Sequence, residues 1–371
     1  MLKPIRHIEC SAALAACQQL MQRFALWLCN PQVNSAHVTR AYLIKNMPSK
    51  EEAVWLDDFL QKKHKKTSLK TLACILANLD TAEKKALRQW IFACASLSRH
   101  FQPAPVHTPL PTVQPFESHT DGKNKWLAFK TLMDAFYERG FREGLPYLPN
   151  GKPTANKSEW FDYESFRSQF RRSHKLDADL YAREICVICG GELHKPSVDH
   201  WVGKAAYPLL SVCADNLVPI CAQCNESPNK GAKDVHADGS FNDWFHPYKR
   251  HPQGLLQLSY KSNDFCVTVT SADPAQTRRV ENLDRLFNLQ TRWTREFKAE
   301  YCKVKKAMLK KKQFYITEQK PLSLKELYQW IQEWHDGLID SEPHYEVHKL
   351  LAEVLLDPVR TVVWLAELND S

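Results

Sequence analysis

From Ser11 to Phe101, apolar residues recur every three to four positions with polar residues between them, the signature of amphipathic helices. A first helix is expected to start at Ser11 and run through Leu14, Leu20, Phe24 and Leu28, stopped by Asn30-Pro31. Further helices are expected at Ala36 to Lys45, Ser49 to Lys62, Ser68 to Leu79 and Thr81 to Phe101. Ser49 and Glu52 have the spacing of a capping box, and Val54, Trp55, Leu56, Phe59 and Leu60 form one broad buried stripe. The pattern then stops. Residues 102–122 hold Pro103, Pro105, Pro109, Pro111 and Pro115 among small and polar residues, an extended linker in which proline blocks helix.

Helical spacing resumes from Lys123 to Arg139 and ends at Gly140. Residues 144–151 read as a loop or hairpin with an Asn-Gly turn, and Ser158 to Lys175 as a helix. Near Ser197 the period changes to the short β-branched run Ser197-Val198-Asp199-His200-Trp201-Val202, a strand. Leu255 to Tyr260 and Phe265 to Thr270 alternate as paired strands. Asn282 to Leu289 opens a helical tail, closed by Leu322 to Leu338 and Tyr345 to Leu356. The pattern predicts an α+β, mostly helical chain. Its parts are a helical 1–101, a linker 102–122, a helical lead-in 123–180, a central unit 181–250, and 251–371 with short strands followed by basic helices.

The central unit contains two Cys-x-x-Cys pairs, Cys186/Cys189 and Cys221/Cys224, separated by just over thirty residues. Four thiolates in two knuckles match a closed tetrahedral zinc site, and thiolate softness favours that ion. A redox Cys-x-x-Cys and buried core thiols are the alternatives, but two pairs flanking a polar insert point to structural zinc. Within the insert, Asp199 and His200 are adjacent, so a regular strand would aim them at opposite faces. A bend or bulge is required for both to address one site. Asp215-Asn216-Leu217-Val218-Pro219-Ile220 returns to the second knuckle, and a helix starting near Cys221 would carry Cys224 and Asn225.

This stretch resembles the HNH endonucleases of the zinc-stapled, ββα-metal kind. The resemblance rests on Cys186-x-x-Cys189, Val198-Asp199-His200, Asp215-Asn216-Leu217-Val218-Pro219, Cys221-x-x-Cys224-Asn225 and Lys230-Gly231-x-Lys233, and covers about fifty residues. It implies a central ββα-metal unit in which His200 is the general base and Asn216 fixes the loop presenting it. It further implies that Asp199 and Asn225 hold magnesium or manganese, and that DNA is cleaved. Structured RNA such as tRNA is the alternative substrate, and a zinc module without catalysis the alternative class.

The residue types suit that chemistry. A neutral imidazole can take a proton from water at cellular pH. Asp and Asn offer the hard oxygens Mg²⁺ prefers. An Asn side chain both donates and accepts, which suits Asn216 to pinning backbone. Two features depart from the family pattern. The position after the last cysteine is Asn225 rather than His, and the run from Asn225 to Lys230 holds two extra residues around Pro228. The insertion makes Asn229 a rival to Asn225 as the metal-facing amide.

Charge changes the picture less. The 371 residues carry a formal charge of +8 and a pI near 8.8, which leans toward a polyanionic partner. Arg167 and Arg171 with Arg172, Lys230 with Lys233, and the run from Arg292 to Lys312 are candidate phosphate contacts; a solvated charged face is the alternative for each helix. The run Lys62-Lys63-His64-Lys65-Lys66 reads as a solvated helix end, with a nucleic-acid contact as the alternative. His236 and His246 read as structural histidines among aromatics or as further metal or phosphate ligands. Of twelve cysteines, the eight outside the knuckles are scattered singly, as reduced core thiols. No apolar run is long enough to span a membrane, so a soluble cytoplasmic protein is expected. A small HNH unit inside helical flanks is also similar in architecture to effector nucleases of bacterial anti-phage defence systems, which implies an ATPase or other defence partner.

Overall fold

The computed structural model describes residues 3, 5–101, 109–117, 120–175, 179, 181–193, 196–252, 254–316 and 321–370. Pro103 and Pro105 of the expected linker lie outside them. The chain is mostly helical, with three small two-stranded antiparallel sheets among the described residues. The N-terminal helices are α1 (Ser11–Leu28), α2 (Arg40–Asn46), α3 (Lys50–Leu60), α4 (Leu69–Ala77) and α5 (Thr81–Cys94). Ser49 caps α3 by accepting from the Glu52 N–H, but Glu52 turns its carboxylate inward to the Tyr147 hydroxyl, 2.6 Å away, instead of closing the box. Asp80 and Glu83 make the reciprocal box at the start of α5. The expected helix through Phe101 ends at Cys94 and resumes as a 3₁₀ turn, Leu97–Phe101.

Two lysines expected at a solvated helix end instead turn a tiny hairpin, β1 (Lys63–His64) with β2 (Thr67–Ser68). Lys65 and Lys66 take left-handed backbone to make the turn, and His64 is buried against Asp134. The proline-rich stretch is anchored at two described residues: Leu110 and Phe116 are buried, and the Leu110 N–H bonds the Gly239 carbonyl. Gly239 has φ +79°, and a Cβ there would collide with the Leu110 carbonyl, so the approach needs glycine.

Helix α6 (Gly122–Ala135) continues as a π-helical stretch, Phe136–Phe141, rather than as α-helix to Arg139. It is followed by α7 (Tyr163–Ser173), capped by Asp162. The central unit holds β3 (Ser197–His200), β4 (Leu217–Ile220) and α8 (Ala222–Asn225). Beyond it lie β5 (Leu256–Lys261), β6 (Cys266–Ser271), α9 (Thr277–Phe287), α10 (Leu289–Ile316), α11 (Leu324–Asp336), α12 (Tyr345–Leu356) and α13 (Pro358–Asn369). In α10, Trp293, Phe297, Val304 and Met308 are buried at the spacing of one helix face, leaving the lysines outward. No helix among the described residues is long and apolar enough to cross a membrane.

The N-terminal helices and the central unit share one core. The Gln18 amide of α1 donates to the Leu209 carbonyl, 2.7 Å away, and the Ser211 hydroxyl to the Met133 carbonyl of α6, 3.0 Å away. Both contacts hold the long loop between β3 and β4. That loop is thereby fixed from two sides.

Candidate functional site

The cysteines converge. All four are buried free thiols whose sulfurs lie within 4.8 Å of one another. Cys186 and Cys224 are 4.0 Å apart, Cys189 and Cys221 3.8 Å. A tetrahedral ion with metal–sulfur bonds of about 2.3 Å has edges of about 3.8 Å, so the cluster could hold a metal such as zinc. The start of α10 closes it. The Arg292 guanidinium donates to Cys224 Sγ at 3.3 Å, and the Trp293 indole to the Cys189 carbonyl at 2.9 Å. Burial works against the Arg292 charge, but the neighbouring Cys224 and Cys189 sulfurs outweigh it and raise its pKa. Arg292, expected among the nucleic-acid contacts, thus places its charge against the cysteine cluster.

β3 and β4 pair in an unbroken antiparallel register, Asp199 opposite Val218 and His200 opposite Leu217. No bulge interrupts β3, so side-chain alternation separates Asp199 from His200. On one face, the Asp199 carboxylate is taken by the buried Lys230 ammonium, 3.0 Å from Oδ1 and 2.9 Å from Oδ2. Lys230 also donates to the His200 carbonyl at 2.8 Å. Burial raises the Asp199 pKa, and Lys230 offsets only part of it. On the same face the Asn225 amide donates to Ser197 Oγ at 2.8 Å. Asn229 donates to the Gln223 carbonyl at 2.6 Å and accepts from Asn288 at 2.8 Å.

His200 faces the other way. Its Nε2 lies 2.9 Å from the Ser211 carbonyl. A carbonyl only accepts, so the ring proton sits on Nε2 and the Nδ1 lone pair is left free. Nδ1 has no hydrogen-bond partner among the described residues. The ring meets Tyr137 edge-on, with centroids 4.6 Å apart. Burial, then the Lys204 charge, lowers the His200 pKa to about 3, so it is neutral. Asn216 holds the loop that supplies Ser211. Its Oδ1 accepts from the Val202 N–H at 2.7 Å, and its Nδ2 donates to the carbonyls of Val202 and Leu210 at 3.0 and 3.1 Å.

Lys204 and its partners carried no motif in the sequence. The Lys204 ammonium bridges Asp134 at 2.8 Å and Glu138 at 2.6 Å, and stands 4.7 Å over the Tyr137 ring. Asp134 and Glu138 are four residues apart, which was the available signal: two acids on one helix face.

The remaining candidates each have a partner within the chain. Lys230 is buried rather than presented to solvent. Lys233 donates to the Arg285 and Leu286 carbonyls at the end of α9, at 3.0 and 3.4 Å, where the helix dipole favours a cation. Arg167 pairs with Glu164 at 3.0 Å and Arg171 with Glu184 at 2.5 Å. His246 is fully buried among aromatic rings, its Nδ1 accepting from the Tyr248 and Lys249 N–H groups. His236 is packed against Tyr207 and Phe241.

As placed, Asp199, Asn225 and His200 do not surround a common point. Asp199 is neutralised by Lys230, Asn225 is engaged with Ser197, and His200 lies across the sheet. These residues therefore do not fit a magnesium or manganese ion in this arrangement. No protein-family model, curated protein or solved structure matches the chain.

Proposed function

We propose that the chain is a phosphodiester hydrolase acting on DNA, stapled by zinc at Cys186, Cys189, Cys221 and Cys224, with His200 as its general base. The observation carrying this reading is the state of His200: neutral, its proton committed to the Ser211 carbonyl, its Nδ1 lone pair without a partner. An imidazole held in one tautomer at a loop clamped by Asn216 is ready to receive a proton from water. Water loses a proton to Nδ1 as its oxygen attacks phosphorus, and the leaving oxygen departs with a proton from solvent. Burial and Lys204 weaken His200 as a base in the free protein, and a bound phosphate's negative charge offsets this by stabilising the imidazolium. The basic balance of +8 favours a polyanionic substrate.

A second reading, a zinc module without catalysis, is favoured by one observation. Lys230 closes the carboxylate that the HNH resemblance would give to a cation. The test is incubation of the purified chain with plasmid DNA and, separately, total RNA, with Mg²⁺ or Mn²⁺ and with chelator. DNA cleavage supports the proposal, cleavage of RNA alone moves the substrate to RNA, and intact nucleic acid in every lane favours the non-catalytic module.

A further inference from the structure

A second cluster of ligand-type side chains lies on the C-terminal helices, apart from His200. α10 carries Glu296 and Glu300. Val347 and Leu351 bury one face of α12, and His344 and His348 stand at its start and one turn in. Glu296 and Glu300 are four residues apart and share a face of α10, and His348 of α12 with His344, the left-handed residue just before that helix, approaches this face. His348 Nε2 lies 3.1 Å from Glu296 Oε1 and 3.9 Å from Glu300 Oε2, and His344 Nε2 lies 3.8 Å from Glu296 Oε2. One ligand atom each from Glu296, Glu300 and His348 falls within 4.8 Å of the others.

A tetrahedral ion with bonds of about 2.0–2.1 Å to nitrogen and oxygen has edges of about 3.3 Å. The observed spacings straddle that value, so small rotamer changes would close the site. Glu300 is buried, and carboxylates side by side in a half-buried groove favour a cation near them. Lys303 supplies one charge from the outer edge, at 3.0 and 3.1 Å from Glu300, on an exposed side chain. His344 Nδ1 is withdrawn from solvent and has no hydrogen-bond partner among the described residues.

We propose that Glu296, Glu300 and His348, with His344 beside them, form a second metal site that takes a divalent first-row transition ion such as zinc. Mixed imidazole and carboxylate donors suit that class and distinguish it from the all-sulfur cluster. The site sits one turn along α10 from Arg292, which binds Cys224, and the His344 N–H bonds the Gly190 carbonyl of the first knuckle at 2.7 Å. An ion here fastens α10 to α12 and both to the cysteine cluster.

The test uses the full chain loaded with zinc, dialysed, and assayed for zinc per chain beside His348→Ala and Glu296→Gln. Both variants are expected to hold one ion fewer than the wild type. Equal zinc in all three overturns the site. Cobalt loading separates local loss from unfolding. His348→Ala should keep the thiolate-to-cobalt absorption of the cysteine cluster and lose the weaker bands of nitrogen- and oxygen-bound cobalt. Loss of both signals together, or of neither, contradicts the proposal.

Discussion

The Lys230 ammonium sits 2.9 Å from the Asp199 carboxylate, and both side chains are almost wholly withdrawn from solvent. The pair joins the end of β3 to the segment after α8, and through the Lys230 bond to the His200 carbonyl it also fixes the backbone of the proposed base. Removing one partner leaves an uncompensated buried charge, which costs about 3–5 kcal/mol. Asp199→Asn should therefore lower unfolding free energy by about that much, while Asp199→Asn with Lys230→Met should recover most of it. Denaturant titration of the four chains checks this, and additive losses would contradict it.

Arg292 gives the cysteine cluster a charge the ligands themselves lack. An outer partner of this kind is worth about 10–100-fold in metal affinity. Arg292→Gln should weaken zinc binding by a factor in that range, read by competition with a chromophoric chelator, with Arg292→Lys in between.

Asn216 makes three hydrogen bonds to the backbone, all buried. Asn216→Ala strands the Val202 N–H and two carbonyls, and should cost about 3 kcal/mol given about 1 kcal/mol per lost bond plus desolvation. Asn216→Asp replaces the donor that serves both carbonyls with an acceptor, and should be at least as damaging. Thermal melts compare the two.

Two buried histidines contribute to the acid sensitivity of the fold. His200 and His246 are both lowered by burial from 6.5 to about 3. The unfolded chain then binds more protons than the folded one across that interval, so stability is fully present above about pH 6.5 and is lost as pH falls toward about 3. His246→Phe should flatten the pH dependence of the melting temperature over this window. For the proposed hydrolase the same displacement predicts that kcat/KM shows no acid limb near pH 6.5, because its proposed base stays neutral well below it.

How much of this is legible in the sequence follows from how local each cause is. The cysteine cluster is legible because ligand chemistry fixes a two-residue gap within each knuckle. The opposition of Asp199 and His200 follows from strand alternation alone. The helices of the N-terminal region follow from apolar periodicity, although their ends moved where capping or a 3₁₀ turn intervened, as after Cys94. By contrast, the Asp199–Lys230 pair joins residues 31 apart in sequence and depends on how the chain folds back after α8. The π stretch at Phe136–Phe141 leaves hydrophobic spacing almost unaltered, so no pattern announces it. The left-handed Lys65 and Lys66 have no residue-type signal, since turns of that kind favour Gly or Asn.

The measurement that bears most directly on the account is the single-turnover cleavage rate of the wild type beside His200→Ala, at matched zinc content and matched melting temperature. A general base contributes about 10²–10⁴-fold, and the account predicts a loss in that range with substrate binding retained. Equal rates in the two proteins would contradict it.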